Sequence, residues 1–352
     1  MDEFAGWVPD GTFESFRTDL GLTYTQASAV LVAGAPGAIF GNVFAVLADY
    51  RSRRVIATSG AFGFAASLAV FGLASEFAVL LFASFTLGCA SSALCDGTEV
   101  ALIDLAEDEA PAQISRAFLL GAIGDVLGPV LLIVVAASGF SWRVAFSVAA
   151  VTVAAYGLWL ATFRFPPPRP HLDHSPRDGL RLIVRDPRVW YFGVLALLLG
   201  PLDEDALAFL IAYLERDHGL SVAAANAVAA ASVVGALIGF VSTSRHGYRP
   251  PARAMRNQMA VIAASLFAAV LVANVWVIVA AEFVFGFAVA RYWIALKTRI
   301  VQLYPDRVGS VNAVVSTIEY SAFLLPVFAG YLADTFGVRA GFGISAIVAV
   351  VT

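Results

Sequence analysis

The sequence predicts an all-α integral membrane protein built from two related halves, and three observations carry that prediction. Hydrophobic residues make up 60% of the 352 positions and charged residues 14%, whereas soluble domains carry about 25% charged residues. Apolar stretches approaching the roughly 20 residues that a spanning helix needs recur along the chain between short polar breaks, and the mean hydropathy is +0.81. The chain also repeats itself once. GFSWRVAF at 139–146 returns as TFGVRAGF at 335–342, aligning Arg143 with Arg339 and Phe146 with Phe342 at an offset of 196. RTDLGLT at 17–23 returns as RDHGLS at 216–221, with Gly21 and Gly219 198 apart, and Asp2-Glu3 returns as Asp203-Glu204, 201 apart. One repeat between membrane-grade segments fits a two-halved transporter.

Spans are expected at 25–48, 55–75, 77–105, 117–138, 144–163, 189–214, 221–244, 257–273, 275–303 and 313–333, with partial ones at 1–18 and 340–352. Numbered from the partial first one, these are spans 1 to 12. The repeat used as a ruler predicts that spans 1 and 12 are incomplete. An N-terminal six-helix bundle then occupies 1–163, a Pro/Arg-rich linker 164–188 and a C-terminal six-helix bundle 189–352. In the linker, Pro166, Pro167, Pro168 and Pro170 favour extended chain, and GLRLIVRD after them suits a short amphipathic piece on the membrane surface. His171, Asp173 and His174 in this linker read as solvated residues rather than metal ligands, and no metal or cofactor is expected.

Orientation follows from the loop cations. One alternate set of loops holds seventeen Lys and Arg, the other only Arg17, Arg143, Arg216 and Arg339, and Arg291 lies inside span 10. The cation-rich side is expected to be cytoplasmic, with both termini of the complete protein there and the plasma membrane as its location. Cys89 and Cys95 lie six apart in one apolar span, which is no disulfide framework.

Between spans 2 and 3 the chain reads AVLADYRSRR at 45–54. This resembles the loop signature of the major facilitator superfamily: Asp49, Arg53 and Arg54 match, while Ala45, Tyr50 and Ser52 depart from it. SRHGYR at 244–249 resembles its weaker second copy through Arg245, Gly247 and Arg249, with Ser244 where the acid belongs. The resemblance implies a gating loop of Asp49, Arg53, Arg54, Arg245 and Arg249, in which the acid steadies the outward-facing state. Span 5 carries Gly124, Gly128 and Pro129 in GAIGDVLGPV, which is similar to the family's antiporter motif without its last two glycines. Small residues four apart let helices touch closely. Gly37 and Gly41 of span 2 form a similar stripe that reads as plain packing.

A charged acid at mid-membrane costs about 2.5–3.5 kcal/mol on insertion scales, so such residues are seldom decorative. Asp2 and Glu3 of span 1, Asp96 and Glu99 three apart on span 4, Asp125 of span 5, Asp203 and Glu204 of span 7, Glu282 of span 10 and Glu319 of span 11 are the candidates for a proton-coupling or substrate cavity. Arg291 is the expected counter-charge. The competing reading makes them static ion pairs that fasten helices. In the family, spans 1, 4, 7 and 10 line the central cavity, and most of these acids fall there.

The expected function is secondary active transport of a small organic molecule by alternating access, as proton-coupled efflux of drug or metabolite type. Import or symport of a metabolite, or a receptor that keeps the fold without transport, are the alternatives. No phosphate-binding GxxxxGK[S/T] loop and no paired-histidine motif is present, so an enzyme is not expected. The proton gradient is the expected driving force. The expected partners are the bilayer and the substrate, not nucleic acid, and the chain is expected to be a monomer.

Overall fold

A computed structural model describes residues 2–104, 110–166, 176–203, 205–244 and 252–351. Helix is the only regular structure among them. Span 1 comprises α1 (Asp2–Gly11) and α2 (Phe13–Asp19); span 2, α3 (Tyr24–Val32) and α4 (Gly34–Tyr50). Spans 3 to 6 are α5 (Arg53–Leu73), α6 (Phe77–Asp104), α7 (Ala110–Ala137) and α8 (Trp142–Leu160). A linker helix, α9 (Pro176–Arg185), leads to span 7, made of α10 (Pro187–Asp203) and α11 (Asp205–Arg216). Then follow α12 (Val222–Ser244), α13 (Ala252–Leu271) and α14 (Val275–Leu303), span 11 as α15 (Val308–Tyr320) with α16 (Leu324–Phe336), and α17 (Val338–Val351). Among the described residues nine helices are long and apolar enough to cross a membrane. Large apolar side chains such as Phe40, Phe82 and Trp276 stand outward, 69%, 61% and 80% exposed, which suits a lipid-facing surface and not a watery one.

Spans 2 and 11 are each broken, and for the same reason. Pro36 is the third residue of α4 and Pro326 the third of α16. A proline supplies no N–H and its ring clashes with the carbonyl four residues back, here Val32 and Ala322. The first helix of each pair therefore stops at Val32 and at Tyr320, the latter followed by a 3-10 turn at Ser321–Phe323. The two broken spans pack along each other across the halves, α3 on α16 and α4 on α15, and α7 packs on α12 in the same way.

The repeat is visible in the packing at an offset of 198 (235 − 37; 286 − 88). A Cβ on Gly37 of α4 would be driven into the carbonyl of Phe85 on α6, and one on Gly235 of α12 into that of Phe283 on α14. Gly88 and Gly286 do the same against Gly34 and Ser232. Gly21 and Gly219 both turn with positive φ, 64° and 67°, where a side chain would be strained. The repeated arginines do one job in both halves. Arg143 donates to the carbonyls of Gly72 and Ala74 at 2.9 and 2.6 Å, and Arg339 to that of Val270 at 3.0 Å. Each satisfies the orphan carbonyls at a helix C-terminus and puts a cation at its negative end. This register aligns Asp2 with Gly200, about one helical turn from Asp203, so the two acidic pairs are near neighbours in the repeat and not superposed.

The expected linker piece is helical as α9, with Ile183 fully buried and Leu182 57% exposed. His171, Asp173 and His174 lie outside the described residues.

Candidate functional site

A cavity of about 500 Å³ lies between the halves, lined from α1, α3 to α7, α10 to α15 and α17. Seven of the acids singled out in the sequence line it together: Asp2, Glu3, Asp96, Glu99, Asp125, Glu282 and Glu319. Asp10, which the sequence reading passed over, is an eighth. Asp203 ends α10, and Glu204 lies outside the described residues.

The geometry of α14 explains which of its charges enter. At 3.6 residues per turn each step rotates about 100°. Glu282, Phe285, Gly286, Val289, Trp293 and Lys297 fall on one stripe, and all line the cavity. Arg291 stands about 180° from Glu282, and the structure does not bring it to the cavity. Its Nη1 donates to Ser242 Oγ of α12 at 2.9 Å, and its guanidinium lies 5.4 Å from the Phe287 ring. Lys297 is the cation that faces the acids: its Nζ is 3.3 Å from Glu99 Oε1. Lys297 is one of the seventeen cations counted on the cation-rich side, although the expected span already reached 303; α14 ends at Leu303 and carries Lys297 inside.

The acids are held differently. Asp2 accepts from Ser91 Oγ at 2.7 Å. Glu3 leans on Gly121 of α7, and Glu319 leans on Gly200 of α10. In one half the acid is on span 1 and the glycine on span 5; in the other the acid is on span 11 and the glycine on span 7. Glu282 is 3% exposed and has no hydrogen-bond or ion-pair partner among the described residues. Burying a carboxylate without a partner is costly, which marks Glu282 as the least compensated acid of the cavity.

The antiporter-like glycines pack span 5 on span 1. A Cβ on Gly124 would meet the Phe4 backbone nitrogen, and one on Gly128 the Trp7 side chain. Pro129 lies within α7. In the loop after span 2, Arg53 is 1% exposed and its Nε donates to the Ala48 carbonyl at 3.0 Å, while Arg54 donates to the Ala161 carbonyl. Both contacts stay within the N-terminal half. Asp49 lies near the end of α4, and Arg245 and Arg249 lie outside the described residues.

The face opposite the arginine-rich loops is closed by contacts between halves. Glu14 of α2, side chain 6% exposed, takes Nε and Nη2 of Arg17 at 2.8 Å each and is also bound by Arg216 of the other half. Asp334 of α16 accepts from the backbone N–H groups of Tyr24 and Thr25 at 2.8 and 2.9 Å and from Thr25 Oγ1 at 2.6 Å. It thus puts a carboxylate on the N-terminus of α3, where negative charge is favoured. The rings of Phe13 and Phe209 close the middle at 5.6 Å, and Asn226 Nδ2 donates to the Gly11 carbonyl at 3.2 Å. Sequence reasoning missed this seal, because its partners lie up to 310 positions apart.

The sequence profile of the Major Facilitator Superfamily matches residues 4–325. No match was found among curated proteins. The fold is similar to the crystal structure of nucleoside transporter NupG, with a TM-score of 0.74 at 14% identity, covering 99% of this chain and 94% of that one. It is also similar to a bacterial homolog of the human lysosomal transporter Spinster in an inward-facing and occupied conformation, with a TM-score of 0.73 at 17% identity, covering 99% and 92%. The chain belongs to the Major Facilitator Superfamily and is a multi-pass secondary transporter.

Proposed function

We propose that this chain is a proton-coupled transporter that exports a small organic molecule by alternating access, in the plasma membrane, with the arginine-rich face toward the cytoplasm. It works as a monomer, with no cofactor beyond the proton gradient and no nucleic-acid partner. The observation that carries the reading is Glu282, a buried carboxylate with no partner among the described residues, in a cavity between the halves. A carboxyl group so placed is suited to exchange a proton for a substrate. Glu99 and Lys297 add an ion pair to the same cavity. Closure at the lightly charged face through Glu14, Arg216 and Asp334 is one end of the cycle. Opening there and closing at the arginine-rich face, with Asp49, Arg53, Arg54, Arg245 and Arg249 as the gate, is the other. Asp203 and Glu204 of span 7 join the proton pathway in this reading.

Export is favoured over import by the resemblance of Gly124, Gly128 and Pro129 in span 5 to the family's antiporter motif. The test is a vesicle flux screen under an imposed pH gradient, run over drugs, nucleosides and other metabolites. Substrate moving against the proton flow is expected. Movement with the proton flow selects the importer, and absence of gradient-dependent flux for every compound overturns the reading in favour of a receptor.

A further inference from the structure

We propose that the central cavity selects organic cations with an apolar or aromatic body, a proposal that rests on the cavity being the transport site. Eight carboxylates line it, and Lys297 is the only Lys or Arg among the described lining residues. That imbalance is a field, and a cleft lined by one sign of charge concentrates ions of the other sign. Acids alone do not make a site. Here a second feature points at a ligand: Glu282, 3% exposed, faces the cavity with no partner among the described residues. A cation entering the cavity supplies the partner that the fold leaves out.

Lys297 shows what the acids accept. Its side chain is an alkylammonium on a four-carbon stem, reaching into the cavity from α14 and held 3.3 Å from Glu99. The ammonium is held at Glu99, and Glu282, fifteen positions back along α14, has no ion-pair partner among the described residues. The walls suit a bulky apolar body. Trp7, Phe285, Trp293 and Tyr320 line the cavity, and aromatic faces attract cations more strongly where water is excluded. A volume of about 500 Å³ is in the range of pockets that hold drug-sized molecules. An organic anion meets the same carboxylates as repulsion.

The test uses two ions of nearly the same shape and opposite charge, tetraphenylphosphonium and tetraphenylborate, titrated by calorimetry into the purified full-length protein in neutral detergent. Tetraphenylphosphonium is expected to bind, with tetraphenylborate at least about 100-fold weaker, as charge complementarity requires. Glu282→Gln is expected to weaken the cation by about tenfold, and Lys297→Met, which frees Glu99, to strengthen it by about tenfold. Lys297→Arg keeps the tethered charge and is expected to stay near wild type. The wild-type comparison stands even where a variant fails to fold. Equal binding of the two ions, preference for the borate, or no binding of the phosphonium overturns the proposal. Gradient-driven flux of a neutral solute, once the same protein is reconstituted into sealed vesicles, leaves the transporter reading intact in that case. Phosphonium binding with no flux of any compound removes the transporter reading instead.

Discussion

Glu282 and Lys297 are fifteen positions apart on one helix and do opposite things in one cavity. Glu282 has no counter-charge among the described residues, whereas Lys297 is tied to Glu99. Glu282→Gln keeps shape and removes the ionisable group. It is expected to abolish the pH dependence of transport in reconstituted vesicles while leaving the protein monodisperse; unchanged coupling sinks its role. Outside the membrane, Asp186 between α9 and α10 is held at about 2, below the usual carboxylate range, chiefly by the Arg188 guanidinium that donates to it. A lowered folded-state value means its stabilisation is present above about pH 4 and is lost as the pH falls toward 2. Arg188 is 66% exposed, so solvent screens the pair and its contribution to stability is small. The melting-temperature gap between wild type and Asp186→Asn is therefore expected to be small near pH 7 and to close on acidification. Seven of the eight cavity acids were legible in the sequence, because a carboxylate inside an apolar run is conspicuous. Lys297 was not, because a cation near the end of a long span looks like an ordinary interfacial anchor.

The helices themselves were legible from hydropathy, and the boundaries fall within seven residues of those expected. What hydropathy does not show is where a span is broken, since Pro36 and Pro326 sit in apolar stretches that read as continuous. Packing between helices was legible only as stripes of small residues. The stripe of Gly37 and Gly41 reads as packing, and α4 does rest on α6 there. Gly37→Leu places a branched side chain against the Phe85 carbonyl, a backbone atom that cannot step aside. Overpacking of this kind costs about 1–3 kcal/mol or more. A lowered unfolding temperature is expected for Gly37→Leu and, by the repeat, for Gly235→Leu. Thermal melts of both variants that match wild type contradict the close approach. Arg143→Ala and Arg339→Ala remove equivalent helix-end contacts. Arg143 also meets Asp19 at 3.2 Å, so its loss is expected to lower the melting temperature more than that of Arg339.

At the scale of the molecule, the seal on the lightly charged face holds the halves in one arrangement. Glu14 is shared by an arginine from each half, so Glu14→Gln weakens both contacts at once. Loss of a charge-assisted bond of about 2 kcal/mol shifts a two-state population by roughly 30-fold. Spin labels on the two halves at that face are expected to report a longer distance in Glu14→Gln, and an unchanged distance distribution contradicts the latch. The partners of this seal are brought together by the two-halved topology alone, which is why local sequence patterns do not reveal them. Glu99 and Lys297 stand 198 positions apart, the same offset that relates the packed glycines (297 − 99), so the ion pair joins two equivalent positions. Two identical copies of one half would bring glutamate to glutamate there, or lysine to lysine. Attraction across such an axis exists only once the copies have become unlike. The pair therefore acts as a key that lets the two halves recognise each other as different, and a dimer of either half with itself meets like charges at its centre.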